Sequence, residues 1–182
     1  MKYNFSSQKN NYLTPAAFYE KVLEEAGLNI FDCDVCCSEF NIPAKLYYKP
    51  EGLYSLNGVK LSDKDGLSGT WFRTNWCNPP FNITDKFVYK ALEEQKKGHT
   101  TYMLLPARTE TNYWYDGILE KGKATRENIE ITFLKKGLSF IDPNTGEPVK
   151  MHIKQKNGTY KEIDGAYKDA LALVIFRGIN ND

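Results

Sequence analysis

The stretch Trp71-Phe72-Arg73-Thr74-Asn75-Trp76-Cys77-Asn78-Pro79-Pro80-Phe81 decides how the chain is read. Its first seven residues are rich in aromatic and β-favouring side chains and read as a strand. Asn78 ends that strand abruptly, because two successive prolines have no N–H to offer a neighbour. Residues 83–97 follow as a helix, with Ile83, Phe87, Val88, Ala91 and Leu92 on one face and Gly98 as terminator. Residues 100–105, Thr-Thr-Tyr-Met-Leu-Leu, read as a second buried strand stopped by Pro106. Strand, tight turn, helix and strand make the repeating unit of a parallel sheet.

Upstream, residues 15–26 read as a helix. Thr14 is the expected cap, Pro15 suits the first helical position, and Phe18, Val22, Leu23 and Ala26 share a face ahead of Gly27. Residues 28–36 hold a short apolar run and predict a buried strand. The segment 38–70 carries Pro43, Pro50, Gly52, Gly58, Gly66 and Gly69 and reads as mostly loop with a few short pieces.

Downstream, 110–119 reads as a helix, with Trp114 and Ile118 four apart, and 129–134 as an alternating strand. Residues 149–153 and 159–163 flank Asn157-Gly158 as a hairpin, and 170–176 close the chain as a core strand. The expected fold is α/β, an open and mostly parallel sheet with antiparallel C-terminal strands and a hairpin insertion at about 141–165. The whole span 1–182 is expected to be one domain. In such sheets ligands bind beyond the carboxyl ends of the strands. The Asp34 region, residues 78–81 and residues 106–108 each follow a strand directly, so three loops are expected on one edge.

Composition narrows the class. The 182 residues suit one ordinary domain, with 41% hydrophobic and 26% charged residues. Mean hydropathy is −0.54; no window approaches the roughly 20 apolar residues that span a bilayer. The first residues lack the apolar core of a signal peptide, so a soluble, cytoplasmic protein is expected. A net charge of +1 argues against a protein that coats nucleic acid, but a local basic patch would suffice for brief contact. Cys33-x-x-Cys36 looks like half a zinc site or a redox pair, but only Cys77, His99 and His152 remain as soft ligands and none are paired at metal spacing, so buried core thiols and no metal are expected.

The tetrapeptide Asn78-Pro79-Pro80-Phe81 carries a specific chemistry. An amine conjugated to an aromatic ring is a poor nucleophile, because its lone pair is delocalised. The Asn78 side-chain oxygen and the Pro79 carbonyl offer two fixed acceptors for its N–H groups. They would aim the lone pair at a methyl donor and stabilise the charge growing on nitrogen. Phe81 offers a face for a planar base. A plain strand-ending turn is the alternative reading of the same residues.

Asn-Pro-Pro-Phe matches the (D/N)PP(Y/F) motif of amino-group methyltransferases. The wider pattern resembles the phage-type DNA N6-adenine methyltransferases, the Dam family. The resemblance lies at Thr14-Pro15, Asp34-Val35-Cys36-Cys37, Asp65-Gly66-Leu67 with Trp71, residues 77–82 and residues 104–111, with 170–176 as a similar closing strand. It implies a Rossmann-like class I methyltransferase fold using S-adenosyl-L-methionine (AdoMet). By that resemblance Thr14 and Pro15 close over the donor's amino-acid end, Asp34 meets its charged amine or a ribose hydroxyl, and Cys36 stands in the donor loop. Asp65 lies near the donor adenine, with Leu67 beside the ring, and Asn78, Pro79, Pro80 and Phe81 are catalytic.

Three departures from the family stand out. No glycine-rich donor loop is present, although the family resembled also lacks a full one, and Lys136-Gly137-Leu138-Ser139-Phe140 replaces a Gly-Arg-Leu pattern, so that arginine's role does not carry over. Residues 143–164 match nothing in it. Arg108 is the expected phosphate or substrate contact, and Lys150, Lys154 and Lys156 make the late hairpin basic enough to grip a DNA backbone. Lysines guarding an exposed strand edge are the alternative reading. A stacked adenine would have to be flipped out beside Phe81. Methylation of RNA or of a protein amide, and a catalytically silent nucleic-acid-binding protein, stand as alternatives. Oligomeric state and recognition sequence are not legible.

Overall fold

A computed structural model describes residues 12–135, 138–155, 157–164 and 170–179. Its first half runs from helix α1 (Ala16–Ala26) through strands β1 (Phe31–Asp34), β2 (Ala44–Lys49), β3 (Gly52–Ser55), β4 (Lys60–Ser62) and β5 (Thr74–Cys77) to helix α2 (Thr84–Gln95). Strand β6 (Thr100–Pro106) and a π-helical turn (Tyr113–Ile118) follow, then β7 (Ile129–Phe133), β8 (Lys150–Lys154), β9 (Tyr160–Asp164) and β10 (Leu171–Phe176).

Eight strands form one sheet in the order β4-β3-β2-β1-β5-β6-β10-β7, and β8 and β9 form a separate two-stranded ribbon. The central strands β2, β1, β5 and β6 are parallel. β3 and β4 add antiparallel strands on one side, β10 and β7 on the other. The protein is thus α/β, with a mixed sheet that is mostly parallel at its core. β6 and β10 show why: their near-continuous apolar runs are buried along almost their whole length, as strands covered on both faces must be. Along β6, Met103 and Leu105 enter one core layer with Phe87 and Trp114, while Tyr102 and Leu104 enter the other with Phe31 and Trp76.

Several elements sit where the sequence places them, with shifts that have local causes. Strand β1 starts only at Phe31, because the preceding residues finish α1: Gly27 adopts φ 66° and the Leu28 N–H reaches back to Leu23 O at 2.9 Å. β5 starts at Thr74 because the buried Asn75 side chain binds both polar backbone groups of Phe72, accepting from its N–H at 2.9 Å and donating to its carbonyl at 2.6 Å. The expected 110–119 helix is a six-residue π turn instead, in which Leu119 N–H bonds Trp114 O at 2.8 Å. Gly117 lets that turn lie on α2, with Val88 Cγ1 3.4 Å from where a Cβ would stand. The Asn157-Gly158 hairpin forms as expected, with Lys154 paired to Tyr160.

The 38–70 segment is mostly loop with a few short pieces, as expected; the pieces are β2, β3 and β4, and β2 is part of the parallel core. Its prolines and glycines are the punctuation of a meander: Pro50 and Glu51 turn β2 into β3, and Gly58 at φ 76° turns β3 into β4. One expectation is corrected: Thr14 does not cap α1. Pro15 occupies the cap position without any side-chain cap bond, and the Thr14 hydroxyl is engaged elsewhere.

Candidate active site

Register places the site. β1 and β5 run parallel with Asp34 opposite Trp76, and the Val35 N–H bonds Trp76 O at 3.0 Å. Past that bond both chains leave the sheet, so the loops after Asp34 and after Cys77 open side by side at the carboxyl edge. β6 ends on the same edge, beside β5.

Thr14, Asp34, Cys36, Asn41, Trp76 and Asn78 line a solvent-open cleft of about 240 Å³ at this edge. Four of these were expected from sequence: Thr14, Asp34, Cys36 and Asn78. Asn41 was not, because it lay in a segment read as loop.

Asp34 is buried, only 4% exposed. One of its carboxylate oxygens accepts the Cys36 N–H at 3.1 Å. Burial lifts its pKa to about 7, against the downward pull of that hydrogen bond. A carboxyl with a pKa of about 7 is roughly half protonated at neutral pH, and a neighbouring cation would favour its ionised form. The thiols of Cys33, Cys37 and Cys77 are pushed up by burial and by the nearby Asp34. They therefore stay protonated and are not nucleophiles. Among the described residues no group of three or more His, Cys, Asp or Glu is placed to hold a metal ion.

The tetrapeptide divides its acceptors. Pro79 and Pro80 are buried, and Phe81 is half-buried. The Pro80 carbonyl is used by the start of α2, accepting the Ile83 N–H at 3.0 Å and the Thr84 hydroxyl at 3.3 Å. The Pro79 carbonyl accepts from none of the described residues. Asn78 Nδ2 donates to Thr14 Oγ1 at 3.3 Å, and no described residue donates to Asn78 Oδ1. One amide oxygen and one adjacent backbone oxygen are thus left side by side in sequence, on a backbone stiffened by two prolines.

Asp65 is buried but serves its own turn. Its carboxylate accepts the N–H groups of Leu67 at 3.2 Å and Ser68 at 2.8 Å, and the Ser68 hydroxyl at 2.7 Å. Neither Asp65 nor Leu67 lines the cleft, although the intervening Gly66 packs on Val35 at the end of β1. Pro15 enters α1 just beyond Thr14. Arg108 follows β6 and also stands outside the cleft, its carbonyl accepting the N–H and hydroxyl of Thr111.

Lys150 and Lys154 belong to β8, and Lys156 lies outside the described residues. The root of that ribbon touches the site's border. Ile141 bridges both Pro148 and Leu13, and Tyr12 stacks on Phe140 with ring centroids 6.2 Å apart.

The family profile described as DNA N-6-adenine-methyltransferase (Dam) matches residues 4–160, most of the chain. The chain belongs to the Dam family. Over 126 residues it is 25% identical to the DNA N-6-adenine-methyltransferase of Haemophilus phage HP1 (strain HP1c1), covering 68% of this chain and 62% of that protein. Over 130 residues it is 27% identical to the DNA N-6-adenine-methyltransferase of Escherichia phage T1, covering 65% of this chain and 49% of that protein. The chain therefore spans about half to three-fifths of the length of the curated relatives it matches. No solved structure matches it. Among the described residues no helix is long and apolar enough to cross a membrane. Within the Dam family frame, the four motif residues that line the cleft come from three separate segments of the chain, the 14, 34–36 and 78 positions.

Proposed function

We propose that this chain transfers a methyl group from AdoMet to the exocyclic N6 of adenine in DNA, on a sheet of the Rossmann-like class I methyltransferase type. The observation that carries this reading is the pair of acceptors in the tetrapeptide, Asn78 Oδ1 and Pro79 O, beside a cleft containing a buried carboxyl. AdoMet supplies an electrophilic methyl on a cationic sulfur, together with an amino-acid end that bears an ammonium group.

The residues fit that donor. Asp34, already inclined to keep a proton in its buried position, is suited to pair with an ammonium instead. Thr14 and Pro15 border the amino-acid end, and Cys36 lines the same cleft. The cleft reaches Thr14, Asp34, Cys36 and Asn78 but neither Asp65 nor Leu67, so it accounts for part of the donor. The remainder would extend towards the Asp65-Gly66-Leu67 turn. On the acceptor side, Asn78 Oδ1 and Pro79 O each take one N–H of the adenine amine. That leaves the nitrogen lone pair directed out of the ring plane, where it can attack, and it stabilises the positive charge developing there. Phe81 supports the ring of the flipped base.

Arg108, Lys150, Lys154 and Lys156 would meet DNA phosphates, which fix position rather than sequence. The ribbon around 141–165 is then an insertion on a single methyltransferase domain spanning 1–182, acting in the cytoplasm of a bacterial or phage-infected cell. The same acceptor pair would serve an adenine in RNA or a glutamine amide in a protein. Calorimetric titration with AdoMet, followed by transfer of labelled methyl to separate DNA, RNA and protein pools, tests the reading. Label entering DNA supports it; donor binding with label in RNA or protein alone moves the acceptor; no donor binding removes it.

A further inference from the structure

Thr14 has two polar groups in use, and each is tied to a different loop. Its hydroxyl faces Asn78 Nδ2 at 3.3 Å, and its carbonyl accepts Asn41 Nδ2 at 3.1 Å. The preceding residue, Leu13, exchanges both backbone hydrogen bonds with Ile141, at 2.9 and 3.0 Å. Thr14 itself is only 4% exposed. Asn41 and Ile141 thus hold the backbone that carries the hydroxyl.

An asparagine amide has one accepting end and one donating end. Turned by half a rotation about its last bond, Asn78 would present N–H groups to the N–H groups of an incoming amine, and donor would face donor. A hydroxyl is able to accept from Nδ2 or to donate to Oδ1. The accepting arrangement is the one found, and it is the one that leaves Oδ1 for the substrate. We propose that Thr14, itself set by Asn41, is a positioning residue that keeps the Asn78 amide turned with its oxygen towards the acceptor amine. This rests on the methyl-transfer reading of the site and adds to it. The hydroxyl acts on Asn78, apart from any contact of Thr14 with the donor, and Asn41 gains a role in transfer.

Two variants separate orientation from packing. Thr14→Val removes the hydroxyl and keeps the branched shape; Thr14→Ser keeps the hydroxyl. At saturating donor, Thr14→Val should lower kcat on adenine-containing DNA about ten-fold, and Thr14→Ser should restore most of it, the size expected when one neutral hydrogen bond is lost. Asn78→Asp supplies the decisive background, since Asp is the other residue of the (D/N)PP(Y/F) pattern. A carboxylate has two equivalent accepting oxygens and no wrong way round, so Thr14→Val should then cost no more than about two-fold.

An equal penalty in both backgrounds would show that Thr14 only packs, and would overturn the proposal. A second measurement needs no activity. In protein labelled with 15N at asparagine, Thr14→Val should shift the Asn78 side-chain amide signal and speed its proton exchange, with Asn41→Ala acting in the same direction and Thr14→Ser leaving it in place. An Asn78 signal indifferent to Thr14→Val overturns the proposal even in an active enzyme. Failure of the unmodified protein to methylate DNA, RNA or protein would instead overturn the methyl-transfer reading, and the amide signal would then decide the Thr14–Asn78 link alone.

Discussion

Gly66 packs directly against the carbonyl of Val35. A Cβ on Gly66 would collide with that oxygen and stand 3.3 Å from Cβ of Tyr48. The Gly66 carbonyl is used as well, accepting the Trp71 indole N–H at 2.6 Å. The turn that begins at Asp65 is therefore pinned to the end of β1, within one residue of Asp34. The Asp65 carboxylate serves that same turn by accepting the Leu67 and Ser68 N–H groups.

Gly66→Ala forces the turn off β1 or strains it. Overpacking of this kind costs about 1–3 kcal/mol, which in a chain of this size corresponds to a fall in Tm of roughly 2–12 °C. AdoMet affinity should fall with it if the turn completes the donor site. Thermal melts and calorimetric titration of the variant check both effects; an unchanged Tm and an unchanged affinity would separate this turn from the site.

Asn78→Ala removes one of the two acceptors and leaves the sheet intact. Transfer should fall by about two to four orders of magnitude, the range for a group that stabilises charge only as it develops. AdoMet affinity should stay within a few-fold. Single-turnover kinetics beside a binding titration make the comparison, and wild-type turnover would take the tetrapeptide out of the mechanism.

Asp34 gives the site a pH signature. Its folded pKa is raised to about 7 by burial, so within the fold the neutral acid is favoured. By linkage, the stability tied to this group is present at low pH and is lost as pH rises from its unfolded value through 7. Donor binding has the opposite slope, because pairing with an ammonium requires the carboxylate. AdoMet affinity should fall up to ten-fold per pH unit below about 7, with proton uptake from Asp34 by buffer visible as a buffer-dependent binding enthalpy. Asp34→Asn should flatten that profile. A flat profile in the unmodified protein would mean that Asp34 does not meet the donor's cation.

Glu94 sets the acid limit of the fold. Its buried carboxylate meets Lys90 at 2.9 Å and Lys97 and His99 at 2.8 Å each. Burial alone would raise its pKa, but those three hydrogen bonds outweigh it and hold the group at about 2. The folded value lies below the model-compound 4.5, so this contribution is complete above 4.5 and is lost as pH falls towards 2. Denaturant unfolding across that window should show a falling midpoint that Glu94→Gln makes shallower. The variant should also be less stable at neutral pH, since it leaves the Lys90 and Lys97 ammonium groups around a neutral side chain.

Much of the site was legible because short motifs fix backbone as well as chemistry. Two prolines end β5 beside the proposed acceptors, and Asp34 closes an apolar strand. The positions of the short strands within 38–70 were not legible for a physical reason: Pro50 and Gly58 mark turns whether they separate strands or simply wander. Only the pairing of β2 with β1 tells those cases apart. Thr14 was read from local rules as a cap, but its hydroxyl bonds a side chain 64 residues away. Contacts of that range leave no periodic trace in sequence. Asn41 was missed for the same reason, its bond to Thr14 spanning 27 residues.

The central claim is that adenine N6 in DNA receives the methyl group. DNA from cells lacking other adenine methylation, with and without expression of this chain, should be digested to nucleosides and analysed by mass spectrometry, with the Asn78→Ala variant alongside. The account predicts N6-methyladenine in DNA only with the unmodified protein. Its absence there, with the protein folded and AdoMet bound, would contradict the claim.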